Sequence, residues 1–277
     1  MTAPVLAVPR PARWYTEPLT VELPGATVAY RREGGGEPVL FLHGHWLTRR
    51  WTPFHARLAE SVDLVAPEHP GFGESPAPVE PLDRDDLVLV YRDLLDALEL
   101  PTVHVVGYGL GAWLAADLAV WLRPRVRSLS VIAPFGLRVP GSPIADVFIL
   151  DPTTYDEVYF GGDAADFAAE VPGVGTPAQG GVEEFAQRYG ELGAAARLMW
   201  QRRYDLKLDT RLPRLGLPAL VVAAAEDRVV PAAHPARWAE LLDARTVTVP
   251  GAGHALVLQC PQETADAVSA FVQEVSR

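Results

Sequence analysis

The chain is short of cysteine, of basic residues and of long apolar runs, and each shortage excludes a class of protein. Cys260 is the only cysteine among 277 residues, so an internal disulfide is excluded, which is typical of a cytoplasmic protein. Lys and Arg number 24 against 35 Asp and Glu, for a formal net charge of −11. We therefore expect no nucleic-acid partner.

No apolar run approaches the length of a membrane-spanning helix, about 20 residues. Residues 1–13 are rich in proline and lack the basic start and apolar stretch of a secretion signal. We therefore expect a cytoplasmic monomer or homodimer without a membrane segment. The 49% hydrophobic content over 277 residues is ample for one large α/β domain with an insertion.

Strand and helix patterns alternate along most of the chain. Short β-branched runs predict strands at 20–22, 27–32, 38–42, 62–66, 102–106, 126–132, 218–225 and 246–249. Apolar residues at helical spacing predict helices at 51–60, 83–98, 110–121, 234–242 and 262–275. The alternation predicts a mostly parallel, twisted sheet of about eight strands with helices on both faces.

The strand signal disappears between residues 137 and 212. Glycines and prolines there separate short helical candidates at 155–160, 164–170 and 182–204. We expect residues 1–136 and 213–277 to form the core, and residues 137–212 to form an inserted helical cap.

The turn between the strand at 102–106 and the following helix has an unusual sequence. The segment Gly107-Tyr108-Gly109-Leu110-Gly111 has the form G-x-S-x-G, with glycine where the serine of a nucleophile elbow stands. Such a turn strains its central residue by about 1–3 kcal/mol, and glycine relieves most of that strain. Gly109 is thus predicted to keep the turn and to lose the nucleophile.

The same glycines loosely fit the dinucleotide-binding pattern G-x-G-x-x-G/A, from Gly107 to Ala112. That pattern opens the first strand–helix unit and is followed about 20 residues later by an acidic residue at the end of the next strand. Here several strands precede it, and the next strand ends Val131-Ile132-Ala133 without a carboxylate. We expect no cofactor and no bound metal.

Two further residues fit a catalytic triad in the chain order nucleophile, acid, base. Asp227 follows the apolar strand at 218–225, and His254 follows the strand at 246–249. A carboxylate that accepts from the imidazole N–H fixes its tautomer and stabilises the imidazolium formed during proton transfer. Each residue alone is better explained as a turn or loop residue, but the position of both directly after strands predicts an acid–base dyad.

An oxyanion hole is predicted from the segment His43-Gly44-His45-Trp46 and from the residue after the elbow. We assign its two N–H groups to His45 and Leu110. Neither Tyr108 nor Cys260 sits at the centre of the elbow, so neither is expected to replace the nucleophile. Aromatic residues that either line a substrate pocket or belong to the core are Trp46, Tyr108, Tyr155, Tyr159, Trp200 and Tyr204.

Five motifs, in the same order, make the chain resemble the α/β-hydrolase fold superfamily over almost its full length. They are Leu42-His43-Gly44, the segment from Ala66 to Ser75, the elbow, the segment from Glu226 to Pro231, and the segment from Pro250 to His254. The sequence is similar to the bacterial branch of capped esterases, epoxide hydrolases and C–C hydrolases. The resemblance implies catalytic roles for Asp227 and His254, but no nucleophile at position 109.

Three hypotheses remain open for the function. The first is an enzyme that uses proton transfer at His254 and an oxyanion hole, without a covalent intermediate, on a small and largely apolar carbonyl compound. The second is a non-catalytic binding protein on the same fold. The third is a serine ester hydrolase inactivated at position 109.

Overall fold

The computed structural model describes residues 14–44, 47–161, 167, 182–199 and 204–277. The sheet has eight strands in the order β1-β2-β4-β3-β5-β6-β7-β8. The strands β1 and β2 pair antiparallel, as do β2 and β4, and all the other pairs are parallel. The predicted α/β class and the mostly parallel sheet are confirmed.

The strand and helix bounds lie close to those predicted from the sequence. The strands are β1 (Leu19–Leu23), β2 (Ala26–Gly34), β3 (Pro38–Leu42), β4 (Asp63–Pro67), β5 (Val103–Tyr108), β6 (Val126–Ile132), β7 (Ala219–Ala224) and β8 (Arg245–Val249). The α-helices in the described part of the chain are α1 (Pro53–Ala59), α2 (Arg84–Ala97), α3 (Leu110–Trp121), α4 (Pro152–Phe160), α5 (Val182–Met199), α6 (Leu208–Arg211), α7 (Ala233–Leu242), α8 (Leu256–Gln259) and α9 (Pro261–Val275).

The helices pack against the sheet through apolar faces. The helix α2 packs on α3, and α1 packs on α9. The helix α2 begins with a reciprocal cap, in which Asp83 and Asp86 each accept from the other's backbone N–H.

Every residue of β5 is buried, so the strand that leads into the elbow lies in the centre of the core. None of the helices described here is long and apolar enough to cross a membrane.

The segment between β6 and β7 carries helices rather than sheet. It contains α4, α5 and α6, and its described residues add no strand to the sheet. The helix predicted at 182–204 is present over Val182–Met199, and residues 200–203 lie outside the described residues. The helix predicted at 164–170 lies almost wholly outside them too. The assignment of residues 137–212 as a cap remains a prediction.

The start of α3 lies unusually close to the end of β3. A Cβ atom added at Gly111 would lie 2.0 Å from the carbonyl oxygen of Leu42 and 2.5 Å from that of His43. Both neighbours are backbone atoms, which cannot move without shifting the strand. Only glycine fits at position 111.

We expect Gly111→Ala to lower the free energy of unfolding by about 3 kcal/mol or more, because the new methyl group overlaps with backbone atoms. The matched control is Gly190→Ala, at an exposed position of α5 where an added Cβ meets no atom within 4 Å. That change should stabilise the protein by about 0.5–1 kcal/mol through helix propensity. Urea unfolding followed by tryptophan fluorescence measures both, and equal effects would contradict the close approach.

Candidate active site

The elbow between β5 and α3 is held by backbone hydrogen bonds to the neighbouring strand. Gly109 has φ +55° and ψ −113°. Residues other than glycine adopt this backbone conformation only with strain. Its N–H donates to the carbonyl of Ile132 at 2.9 Å, and its carbonyl accepts from the N–H of Phe135 at 3.1 Å. Position 109 is therefore fixed by the backbone and needs no side chain.

His254 lies directly opposite Gly109. A Cβ atom built on Gly109 would be 3.6 Å from Nε2 of His254, which is an ordinary van der Waals contact. The imidazole is completely buried. Its Nε2 has no hydrogen-bond partner among the described residues. This ring nitrogen thus faces the position where a nucleophile would stand.

Asp227 holds the other nitrogen of the same ring. Oδ2 of Asp227 lies 2.9 Å from Nδ1 of His254, and the two side chains are 5% and 0% exposed. Oδ1 of Asp227 accepts from the backbone N–H groups of Val229 and Val230, at 2.8 and 2.7 Å. The turn after β7 therefore orients the carboxylate, and the carboxylate places the hydrogen of a neutral His254 on Nδ1.

Three aromatic rings surround the imidazole of His254. Phe135 stacks on it with ring centroids 5.3 Å apart and planes at 12°, and Tyr159 of α4 meets it edge-on at 4.9 Å. The ring of Tyr108 lies 5.4 Å away. The described neighbours of the imidazole are thus mainly aromatic rings, and such surroundings strengthen electrostatic interactions.

Two tyrosine hydroxyls connect α4 to the backbone of the histidine. Tyr108 donates its hydroxyl hydrogen to the carbonyl of His254 at 3.0 Å and lies 2.8 Å from the hydroxyl of Tyr159. Since Tyr108 has one hydrogen to give, Tyr159 is the donor of the pair. Burial raises the pKa of both phenols well above the usual value, so both stay protonated. These contacts give Tyr108 and Tyr159 a part in positioning His254.

The remaining predicted site residues fall in different places. Leu110 is the first residue of α3, so its backbone N–H belongs to the first turn, where a helix makes no internal bonds. Tyr155 stacks on Tyr159 and is buried, and Tyr204 lines a cavity that Phe135 also lines. His45, Trp46 and Trp200 lie outside the described residues. The oxyanion hole at His45 and Leu110 remains a prediction.

Phe135 is a neighbour of His254 that was not predicted from the sequence. It follows β6 at the same edge of the sheet where β5 and β7 lead into Gly109 and Asp227. In a parallel sheet the residues after neighbouring strands meet at one edge. This rule predicts from the sequence that Phe135 lies at the same edge as Gly109 and Asp227.

His43 supports the loop beside the elbow as a neutral ring. Its Nδ1 lies 2.7 Å from the carbonyl of Gly44, and its Nε2 accepts from the backbone N–H of His69 at 3.0 Å. Burial lowers the pKa of His43 to about 4. Protonation of Nε2 would remove the acceptor of the hydrogen bond from the backbone N–H of His69.

The comparisons with known proteins agree with this architecture. Residues 39–267 match the model of the alpha/beta hydrolase family. A pimeloyl-(acyl-carrier protein) methyl ester esterase of Stenotrophomonas maltophilia is 31% identical over 257 residues, which are 88% of this chain and 95% of that protein. The dihydrolipoyllysine-residue acetyltransferase component of the acetoin cleaving system of Pseudomonas putida is 26% identical over 87% of this chain. This chain spans 64% of that relative's length.

A solved structure shows the same fold. A meta-cleavage product hydrolase from Pseudomonas fluorescens superposes with a TM-score of 0.76 and covers 92% of this chain and 97% of its own. The two sequences are 20% identical, so the likeness extends to the fold alone.

Acidification should destabilise the protein in part through His43. Its folded pKa lies below the unfolded value of about 6.5, so its contribution is complete above pH 6.5 and is lost as the pH falls through about 4. From pH 6.5 to 5 we expect wild type to lose on the order of 2 kcal/mol more unfolding free energy than His43→Gln, whose amide oxygen still accepts from His69. Urea unfolding at both pH values measures the difference. A midpoint near pH 6.5 in an NMR titration of the His43 ring would contradict this expectation.

Proposed function

Because the chain belongs to the alpha/beta hydrolase family, whose members act on small molecules, we propose that it catalyses proton transfer on a small, largely apolar carbonyl compound without a covalent intermediate. His254 is the general base and acid, and Asp227 orients it. The observation that carries the proposal is the buried Nε2 of His254, unpartnered among the described residues and facing Gly109.

A buried and unpaired imidazole nitrogen costs about 1–3 kcal/mol, and buried polar groups without a partner are rare in folded proteins. A substrate that enters the space above Gly109 and points a hydrogen at Nε2 from within hydrogen-bond distance would satisfy that nitrogen. Nε2 removes the proton, the N–H at Nδ1 continues to donate to Asp227, and the carboxylate stabilises the imidazolium. The ring then returns the proton to the product.

The electrons released by deprotonation move toward the carbonyl oxygen of the substrate. In the proposed site the backbone N–H groups of Leu110 and His45 stabilise the resulting oxyanion, and each such donor contributes about 10²- to 10³-fold in rate. Elimination, cyclisation, C–C bond formation or cleavage, and attack by a water activated at Nε2 all use this arrangement. All of them fit a site that lacks a nucleophile.

A second candidate is a serine ester hydrolase disabled at one position. Two observations favour it: the 31% identical relative is a methyl ester esterase, and the space at Gly109 accommodates a Cβ atom in contact with His254. A binding protein that needs no base is the third candidate, and it leaves the alignment of His254 with Asp227 unexplained.

We expect Gly109→Ser to acquire esterase activity on p-nitrophenyl esters and labelling by a fluorophosphonate, because the dyad can activate a hydroxyl at that position. Wild type should show neither a burst nor a label. Gly109→Ala is the matched control, since it carries the same backbone strain of about 1–3 kcal/mol without the hydroxyl. Labelling of wild type at any residue would reveal a relocated nucleophile. A folded but inert serine variant would exclude the disabled hydrolase.

A panel of ketones, esters and lactones, assayed for product and for deuterium incorporation from D2O, tests the base itself. For every compound that wild type converts, His254→Ala should abolish turnover and leave the dissociation constant within about tenfold, because removing a base raises the barrier rather than weakening binding. Asp227→Asn should lower turnover in the same direction through the wrong tautomer. Asp266→Asn, on the exposed face of α9, is the matched control. Unchanged activity in both dyad variants would support the binding protein instead.

A further inference from the structure

Glu191 lies on the buried face of α5, in the segment between β6 and β7. Its side chain is almost completely buried, and Ala195, one turn further along the helix, has no exposed surface. Residues four apart share a helix face, and Gly190 and Gly193 beside them are exposed. A glutamate is rarely found on a buried helix face unless it is paired, so the partners of this carboxyl group indicate its role.

Oε1 of Glu191 accepts hydrogen bonds from two loops of the core. The hydroxyl of Thr48 donates to it at 2.6 Å, and the backbone N–H of Gly73 donates to it at 3.2 Å. A separation of 2.6 Å is typical of a hydroxyl that donates to an ionised carboxylate. Thr48 is buried as well, so water does not compete for this bond. One oxygen atom thus connects α5 to the loop after β3 and to the loop after β4.

The same two loops are tied together by a second carboxylate. Glu68 directly follows β4, is buried, and accepts from the backbone N–H groups of Arg49 and Glu74. The guanidinium of Arg31 donates to Glu68 at 2.8 Å. Arg49 also donates from its side chain to the carbonyl of Gly73 at 2.9 Å. The loops are therefore fixed to the sheet by contacts that do not involve α5.

We propose that Glu191 is a positioning residue, whose two hydrogen bonds at Oε1 hold α5, Thr48 and Gly73 in one arrangement. Movement of α5 away from the sheet requires both bonds to break. Thr48 lies three residues after His45 in the sequence, so the consequence for the oxyanion hole rests on the proposed function. The positioning of the two loops by α5 does not.

Native-state hydrogen exchange of the full chain, followed by NMR, tests the proposal. The reporter is the backbone N–H of Arg49, because its acceptor, Glu68, is the same in every variant. Thr48→Val replaces the hydroxyl with a methyl group of similar size. It should raise exchange at Arg49 about tenfold or more, the factor expected for one hydrogen bond to a charged group. Thr48→Ser keeps the hydroxyl and should stay within about threefold of wild type.

Glu191→Leu removes the acceptor and should raise exchange at Arg49 at least as much as Thr48→Val does. In the double variant Thr48→Val should add nothing, because both changes remove the same bond. Glu157→Leu is the matched control, since it makes the same change at an exposed position of α4 in the same segment. It should leave exchange at Arg49 unchanged.

The amides of the buried strand β5 distinguish positioning from a general loss of stability. They exchange through global unfolding, so an equal rise at β5 and at Arg49 would overturn the proposal. Unchanged exchange at Arg49 in Thr48→Val, or additive effects in the double variant, would overturn it as well. None of these measurements reads turnover, so the outcome is separate from that of the proposed reaction.

Discussion

The close approach of α3 to the end of β3 is the constraint on which the site depends. At Gly111 the helix backbone lies against the carbonyls of Leu42 and His43, at a distance that leaves no room for a Cβ atom. This contact brings the first turn of α3 beside the loop at 43–44, where the predicted oxyanion hole would form. It also directs the elbow at Gly109 toward the ends of β6 and β7. The position of residue 109 follows from these backbone contacts, whatever side chain it carries.

The histidine is held by a different set of forces. One hydrogen bond to Asp227 and contacts with Phe135, Tyr108 and Tyr159 fix the ring. The backbone of the following residue adds to this, since Ala255 donates its N–H to the carbonyl of Tyr159 at 3.3 Å. The helix α4 is thereby part of the support of His254. A movement of α4 would change both the cover over the ring and its orientation.

Much of this arrangement was predictable because local rules determine it. The helix α3 and the strands β3 and β6 have the predicted bounds, since apolar periodicity and glycines mark their ends clearly. The residues after β5, β7 and β8 could be assigned to one edge because parallel strands end together. The same rule places Phe135 at that edge, but its stacking on His254 and the place of His234 in a cavity wall depend on contacts between distant segments, which no local pattern shows. The short helix α8 was also missed, since four residues carry no periodic signal.

Asp227 and His254 differ in what they indicate about function. Oδ1 of Asp227 accepts two backbone hydrogen bonds that shape the turn after β7, so a structural role alone would account for an aspartate there. Nε2 of His254 has no such role, because it contacts no donor or acceptor in the described residues and is shielded from water. Gly109, Asp227 and His254 follow three different strands, so the side chain at position 109 does not determine the alignment of the other two residues. The unpartnered Nε2 of His254 is therefore the group that distinguishes an enzyme on this fold from a protein that only retains the fold.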